Sequence, residues 1–245
     1  MKYLRAIAML MAVFVNDMCA EEIYDDARKR NIPVEISFPQ NNEQCVLASK
    51  CPVAFLSAGY GISHLKYTFL THELNQNGYL VIAIGHELPS DPPLSVSGNL
   101  YETRSENWIR GANTLDFLKI KLSSRFSGYN FEQLTLVGHS NGGDISAWLA
   151  NSRKGYIKTI ITLDHRRVPL PRTQDIQILS IRASDFPADK GVLPTAEEQQ
   201  DYASCIITIP NAKHNDIADF GPQWLKTKIQ RLVRGYLVKQ KCEAI

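Results

Sequence analysis

The sequence predicts an α/β fold, a mostly parallel sheet with helices on both faces. Three observations carry this. β-leaning runs alternate with helix-compatible stretches from about residue 31 onward, the order that favours parallel strands joined by crossover helices. Pro52–Leu56 is continuously apolar, as a strand buried on both faces is, and Tyr79–Ile84 reads the same way. The 245 residues suffice for one sizeable core, and no repeat, low-complexity tract or linker divides them.

Each element has a local cause. Asn31 to Pro39 alternates apolar and polar residues like a half-exposed early strand. The Pro52–Leu56 strand ends in the flexible turn Ser57-Ala58-Gly59-Tyr60-Gly61. Ser63 can cap a helix with Leu65, Phe69, Leu70 and Leu74 at helical spacing, and Asn77-Gly78 ends it. After the Tyr79–Ile84 strand, Gly85 to Glu102 is the longest irregular segment, and loops of that length are usually functional or mobile. Arg104 to Phe126 is an expected helix, because Trp108, Ala112, Leu115, Leu118 and Leu122 fall on one face. Tyr156–Leu163, Ile176–Ile181 and Ser204–Ile209 are the later strands. Thr195-Ala196-Glu197-Glu198 starts a helix, and Gln223–Lys239 forms the last one.

Composition excludes little but excludes it cleanly. With 44% hydrophobic and 21% charged residues the chain is ordinary and globular. A formal charge of +2 gives no reason to invoke nucleic acid. No His-Glu-x-x-His zinc motif, phosphate loop or dinucleotide fingerprint occurs, so neither metal nor cofactor is expected. Residues 1–20 have a positive start, an apolar run from Ala6 to Val15 and a small residue, Ala20, before Glu21-Glu22. That is the layout of a secretory signal and too short to span a bilayer, so residues 21–245 are expected as the mature, periplasmic or secreted domain. Removal of the signal would take Cys19 and leave four cysteines, expected to pair as Cys45–Cys51 across a short turn and Cys205–Cys242 at the C-terminus.

The stretch with chemistry is Leu134 to Ile145. A β-leaning run climbs to Gly138-His139-Ser140-Asn141-Gly142, and a helix-compatible run leaves it. Strand, glycine-flanked serine turn and helix make the setting of a nucleophile elbow. The glycines leave room where a Cβ would strike a neighbouring element. This arrangement resembles the α/β-hydrolase family. The resemblance implies a histidine base after the last strand, and His214 occupies that position in Pro210-Asn211-Ala212-Lys213-His214. It implies an aspartate to orient that histidine; Asp185, after the Ile176–Ile181 strand, is taken first and Asp164, one strand earlier, as the alternative. The oxyanion donors it implies are the backbone N–H groups of Asn141 and Tyr60. His139 is read as packing of the elbow.

From Ile32 onward the chain looks more narrowly like the platelet-activating-factor acetylhydrolase and dienelactone-hydrolase-like branch. The matching pieces are Ile32-Pro33-Val34, Gly59-Tyr60-Gly61, Gly138 to Gly143, Leu163-Asp164 and His214 followed by Asp219-Phe220. In the acetylhydrolases the acid sits at the earlier strand end, matching Asp164; in dienelactone hydrolases and cutinases it sits at the later one, matching Asp185. Ser57-Ala58 departs from the His-Gly of many relatives, and a serine nucleophile argues against dienelactone chemistry itself. The expected activity is hydrolysis of a small or short-acyl carboxylic ester through an acyl-enzyme, by a monomer whose partner is its small-molecule substrate. Acyl transfer on the same residues and an inactive binding protein are the alternatives.

Overall fold

A computed structural model describes residues 18–202 and 204–245. Its strands are β1 (Met18–Asp25), β2 (Arg30–Ser37), β3 (Cys51–Ser57), β4 (Leu80–Ile84), β5 (Tyr129–His139), β6 (Ile157–Leu163), β7 (Gln177–Arg182) and β8 (Ser204–Thr208). They form one sheet in the order β1-β2-β4-β3-β5-β6-β7-β8. From β4 to β8 neighbours pair in parallel, whereas β1 and β2 form an antiparallel hairpin joined antiparallel to β4.

Alternation along the central strands sends side chains into two cores. Val53, Phe55, Ile82, Ile84, Leu134 and Leu136 meet Trp108, Leu115, Leu118 and Leu122 of α2 (Leu100–Arg125) and Ile145 and Leu149 of α3 (Asn141–Asn151). Ala54, Leu56, Val81, Ala83, Val137, Ile161 and Leu179 face the other way. There they meet Leu70 and Leu74 of α1 (Thr68–Gln76) and Leu225, Ile229 and Leu232 of α5 (Gln223–Leu237). The intervening α4 (Ala196–Asp201) is one short helix held by a capping box from Thr195 to Glu198.

Three differences from the sequence expectation have physical causes. β1 was not anticipated: only Ile23 and Asp25 of this strand are buried, so its two-residue period carries almost no apolar signal. Its first residues, Met18 to Ala20, were assigned to the secretory signal, whose first 17 residues lie outside the described ones. Ser63 caps a separate turn of 3-10 helix, His64–Lys66, and α1 starts only after it. α2 begins before the expected Arg104 because Asn99 accepts a hydrogen bond from the Tyr101 N–H and caps it.

Both disulfides have the anticipated pairing, Cys45–Cys51 and Cys205–Cys242. They suit an oxidising compartment. Among the described residues no helix is long and apolar enough to cross a membrane.

Candidate active site

The turn between β5 and α3 explains its own composition. Ser140 adopts φ 51° and ψ −120°, a conformation most side chains avoid. A methyl on Gly138 would come within 2.3 Å of the Gly142 carbonyl oxygen, and one on Gly142 within 2.2 Å of the Ser57 carbonyl oxygen. Neither position tolerates a side chain. Backbone close approach therefore fixes the serine at the carboxyl ends of β3 and β5.

His214 reaches Ser140 from the loop after β8. The Ser140 hydroxyl donates to His214 Nε2 at 3.0 Å, and His214 Nδ1 lies 2.6 Å from Asp164 Oδ2. The tautomer with hydrogen on Nδ1 satisfies both contacts, since the carboxylate can only accept. Asp164 is fully buried just past β6 with φ 54°, and its own N–H donates to the Ile181 carbonyl at 2.8 Å. Its second oxygen accepts from the Ala183 N–H and pairs with the Arg182 guanidinium, both at 3.0 Å.

Asp185, taken first as the acid, does not face the imidazole. Its side chain is exposed and accepts from the backbone N–H of His214 at 2.8 Å. The two aspartates thus divide one histidine between them, Asp164 at the ring and Asp185 at the main chain. Asp189, on the same loop, pairs with Arg167. His165, the other histidine after the elbow, is fully buried beneath Gly143, and burial pushes its pKa down to about 3.

Of the expected oxyanion donors, Asn141 directly follows the serine, and Tyr60 follows Gly59, where an added methyl would lie 3.4 Å from Ser140 Cβ. Among the described residues the Asn141 and Tyr60 N–H groups make no hydrogen bond to another backbone group outside regular structure. Asn141 opens α3, where helix geometry leaves its N–H without an intrahelical acceptor. Two buried side-chain networks brace these loops. On one side the Trp108 indole N–H donates to Asn141 Oδ1 at 2.9 Å, Asn141 Nδ2 donates to Asn107 Oδ1 at 2.8 Å, and Asn107 donates on to Glu87 at 3.0 Å. Burial raises the pKa of that Glu87 carboxyl. On the other side the Gly59 N–H donates to the Tyr67 hydroxyl at 2.9 Å, and that hydroxyl donates to His139 Nδ1 at 2.8 Å. Burial holds the His139 pKa down to about 3, so its ring stays neutral and can accept. A methyl on Gly59 would lie 2.9 Å from that same ring, which is why the loop can pass so close.

The long segment between β4 and α2 is tied to this rim. Tyr60 offers its hydroxyl oxygen to the Leu94 N–H at 3.0 Å, Arg104 Nε donates to the Ser95 carbonyl at 2.7 Å, and Asp91 accepts from Arg30 at 2.9 Å. Ser57, where the sequence departs from its relatives, is buried against His86, Oγ to Nε2 2.9 Å. Sequence reasoning missed Asn107, Tyr67 and Phe186, whose ring centre lies 4.1 Å from that of His214. Only Trp108 carried a signal, as part of an apolar helix face. No group of three or more His, Cys, Asp or Glu side chains suited to a metal ion occurs among the described residues.

This sheet, crossover order and elbow are the α/β-hydrolase fold. No family model matches the chain, and no curated protein matches it in sequence. Solved structures match the fold across nearly its whole length. Est1E from Butyrivibrio proteoclasticus aligns at TM-score 0.60 and 14% identity, covering 90% of this chain and 98% of its own. A putative dienelactone hydrolase from Klebsiella pneumoniae gives TM-score 0.63 and 17% identity over 91% of this chain and 100% of its own. Esterase 2 of Thermogutta terrifontis, phosphonylated by cyclosarin, gives 0.65 and 12% over 90% and 94%.

Proposed function

We propose that the protein is a serine hydrolase that cleaves a carboxylic ester. The observation that carries this is the unbroken chain from Ser140 Oγ through His214 to the buried Asp164 carboxylate. A serine hydroxyl is a poor nucleophile until a base within hydrogen-bond reach takes its proton, and this geometry supplies one. Ser140 Oγ bonds to the ester carbonyl carbon while its proton passes to His214 Nε2, and Asp164 stabilises the resulting imidazolium. The carbonyl oxygen becomes an oxyanion between the Asn141 and Tyr60 N–H groups. Collapse breaks the ester C–O bond, and His214 returns the proton to the leaving alcohol. Water then repeats the cycle on the acyl-enzyme. No step needs a metal or organic cofactor.

The fold neighbours named as esterases support this reading, as does the neighbour phosphonylated by cyclosarin. The two disulfides support an oxidising location, and we place the mature chain outside the cytoplasm after removal of residues 1–20. The test is reaction of the folded protein with a fluorophosphonate, followed by intact mass and peptide mapping. A single adduct on Ser140, absent after denaturation and absent from Ser140→Ala, is expected. A folded protein that takes up no adduct defeats the reading.

A further inference from the structure

The arginines of the site rim do not all have partners. Among the described residues, Arg104, Arg153, Arg166 and Arg231 have no carboxylate oxygen within 4.0 Å. Arg153 and Arg231 are exposed, where water solvates the charge. Arg104 and Arg166 are half-buried; Arg166 follows the carboxyl end of β6, and Arg104 lies in the first turns of α2, about one turn before the Asn107 and Trp108 that bond to Asn141. Their neighbours are already committed. Arg167 pairs with Asp189 at 2.5 Å, Arg182 pairs with Asp164, and the Asp144 carboxyl accepts the Arg167 and Val168 N–H groups at 2.8 and 2.9 Å.

Position makes these two cations functional candidates. Arg166 holds its guanidinium carbon 3.5 Å from the centre of the Phe186 ring, and that ring in turn lies against His214. The Phe186 ring therefore links the Arg166 guanidinium to the imidazole. Its Nε is buried with no hydrogen-bond partner. Arg104 uses Nε on the Ser95 carbonyl and makes no other side-chain hydrogen bond among the described residues. Burial lowers the pKa of both, and the nearby Arg167 lowers them further. Asp144 and Asp189 act on both only from beyond ion-pair distance, and a partly desolvated cation with no carboxylate in direct contact is one that a bound anion would stabilise. The amino end of α3, facing the same rim, adds positive potential.

We infer that the rim recognises an ester bearing an anionic group, a carboxylate in the simplest case, set apart from the scissile bond and met by Arg104 and Arg166. This rests on the serine-hydrolase reading and adds a substrate class to it. An arginine fork matches a carboxylate with two parallel hydrogen bonds, so the group is selected as well as attracted.

The experiment uses two matched pairs of esters. Monomethyl adipate and methyl hexanoate differ in the charge on the acyl side; 4-acetoxybutanoate and butyl acetate differ on the alcohol side. The quantity read is the ratio of kcat/KM for the charged member to that for the neutral one. At least one pair is expected to show a ratio of about ten or more, the size of one charge-assisted hydrogen bond. Arg104→Gln and Arg166→Gln should each lower that ratio, and Arg231→Gln should leave it unmoved. Ratios near one in both pairs overturn the inference while leaving the hydrolase standing. Adipate itself, titrated by calorimetry into wild type and the Arg104→Gln/Arg166→Gln double variant, reads the site without turnover. Adipate bound by wild type and lost in the double variant supports the anion site even if no ester is cleaved, in which case only the hydrolase reading fails. Absence of adipate binding together with absence of charged-ester preference removes it.

Discussion

Asp164 and Asp185 follow consecutive parallel strands, and both bond to His214, yet they have different work. Asp164 leaves β6 in a left-handed turn that buries it completely, its N–H on the Ile181 carbonyl and its carboxylate against Arg182. Asp185 lies further along an exposed loop and is used on the His214 main chain. Strand order alone cannot distinguish them, because each sits where a carboxylate could reach the histidine. What separates them is the backbone turn at the strand end. A residue that turns back immediately stays under the imidazole, and one several residues later stands outside it.

The comparison can be broken by mutation, and the largest effect comes first. Asp164→Asn should cost about four orders of magnitude in kcat, because the amide stabilises the wrong imidazole tautomer. Asp185→Asn keeps an acceptor oxygen for the His214 N–H and should cost less than about tenfold. Steady-state kinetics on both variants, with fluorophosphonate labelling of Ser140, settles the assignment; a larger loss at Asp185 reverses it.

A smaller effect tests the bracing of the serine rather than its base. Trp108→Phe removes the N–H that Asn141 Oδ1 accepts and leaves a buried carbonyl oxygen unsatisfied. At about 1 to 3 kcal/mol for such a group, a loss of about tenfold in kcat with KM little changed is expected. A rise in KM at constant kcat would mean that Trp108 lines the substrate site and does not position Asn141.

The smallest effect concerns a third carboxylate, Asp144 of α3. Its carboxyl is buried and its pKa is raised to about 6, chiefly by that burial, while the N–H groups of Val168 and Arg167 work against the rise. A folded pKa above the ordinary 3.8 means the native state binds the extra proton, so stability from this group is present at low pH and lost as pH rises towards about 6. Asp144→Asn should therefore stabilise the protein at pH 7.5 by about 1 to 3 kcal/mol and hardly at all at pH 4. Denaturant melts at the two pH values check the sign; equal changes would contradict it.

The strand–serine turn–helix order, the place of His214 after the last strand and both disulfides were legible because each is local: a spacing, a strand end, a pair of cysteines. The braces were not legible. Asn107 and Tyr67 are separated from their partners Asn141 and His139 by 34 and 72 residues, and nothing in either neighbourhood marks them as polar contacts across the core. Which of Asp164 and Asp185 faces the imidazole was not legible for a related reason. Whether a residue takes a left-handed turn after a strand depends on what it meets there, here the Ile181 carbonyl and Arg182 of the next strand. β1 was invisible because an edge strand needs backbone partners more than apolar side chains.

The bridge from Cys205 to Cys242 spans 37 residues, and His214 lies inside the covalent ring it closes. A ring of that size removes about 3 to 4 kcal/mol of chain entropy from the unfolded state in the loop-closure account. The His214 segment is therefore tethered through chemistry that a reducing cytosol opposes. Oxidation is thus expected to restrict the wandering of the His214 segment in the unfolded chain while leaving the serine turn outside the covalent ring.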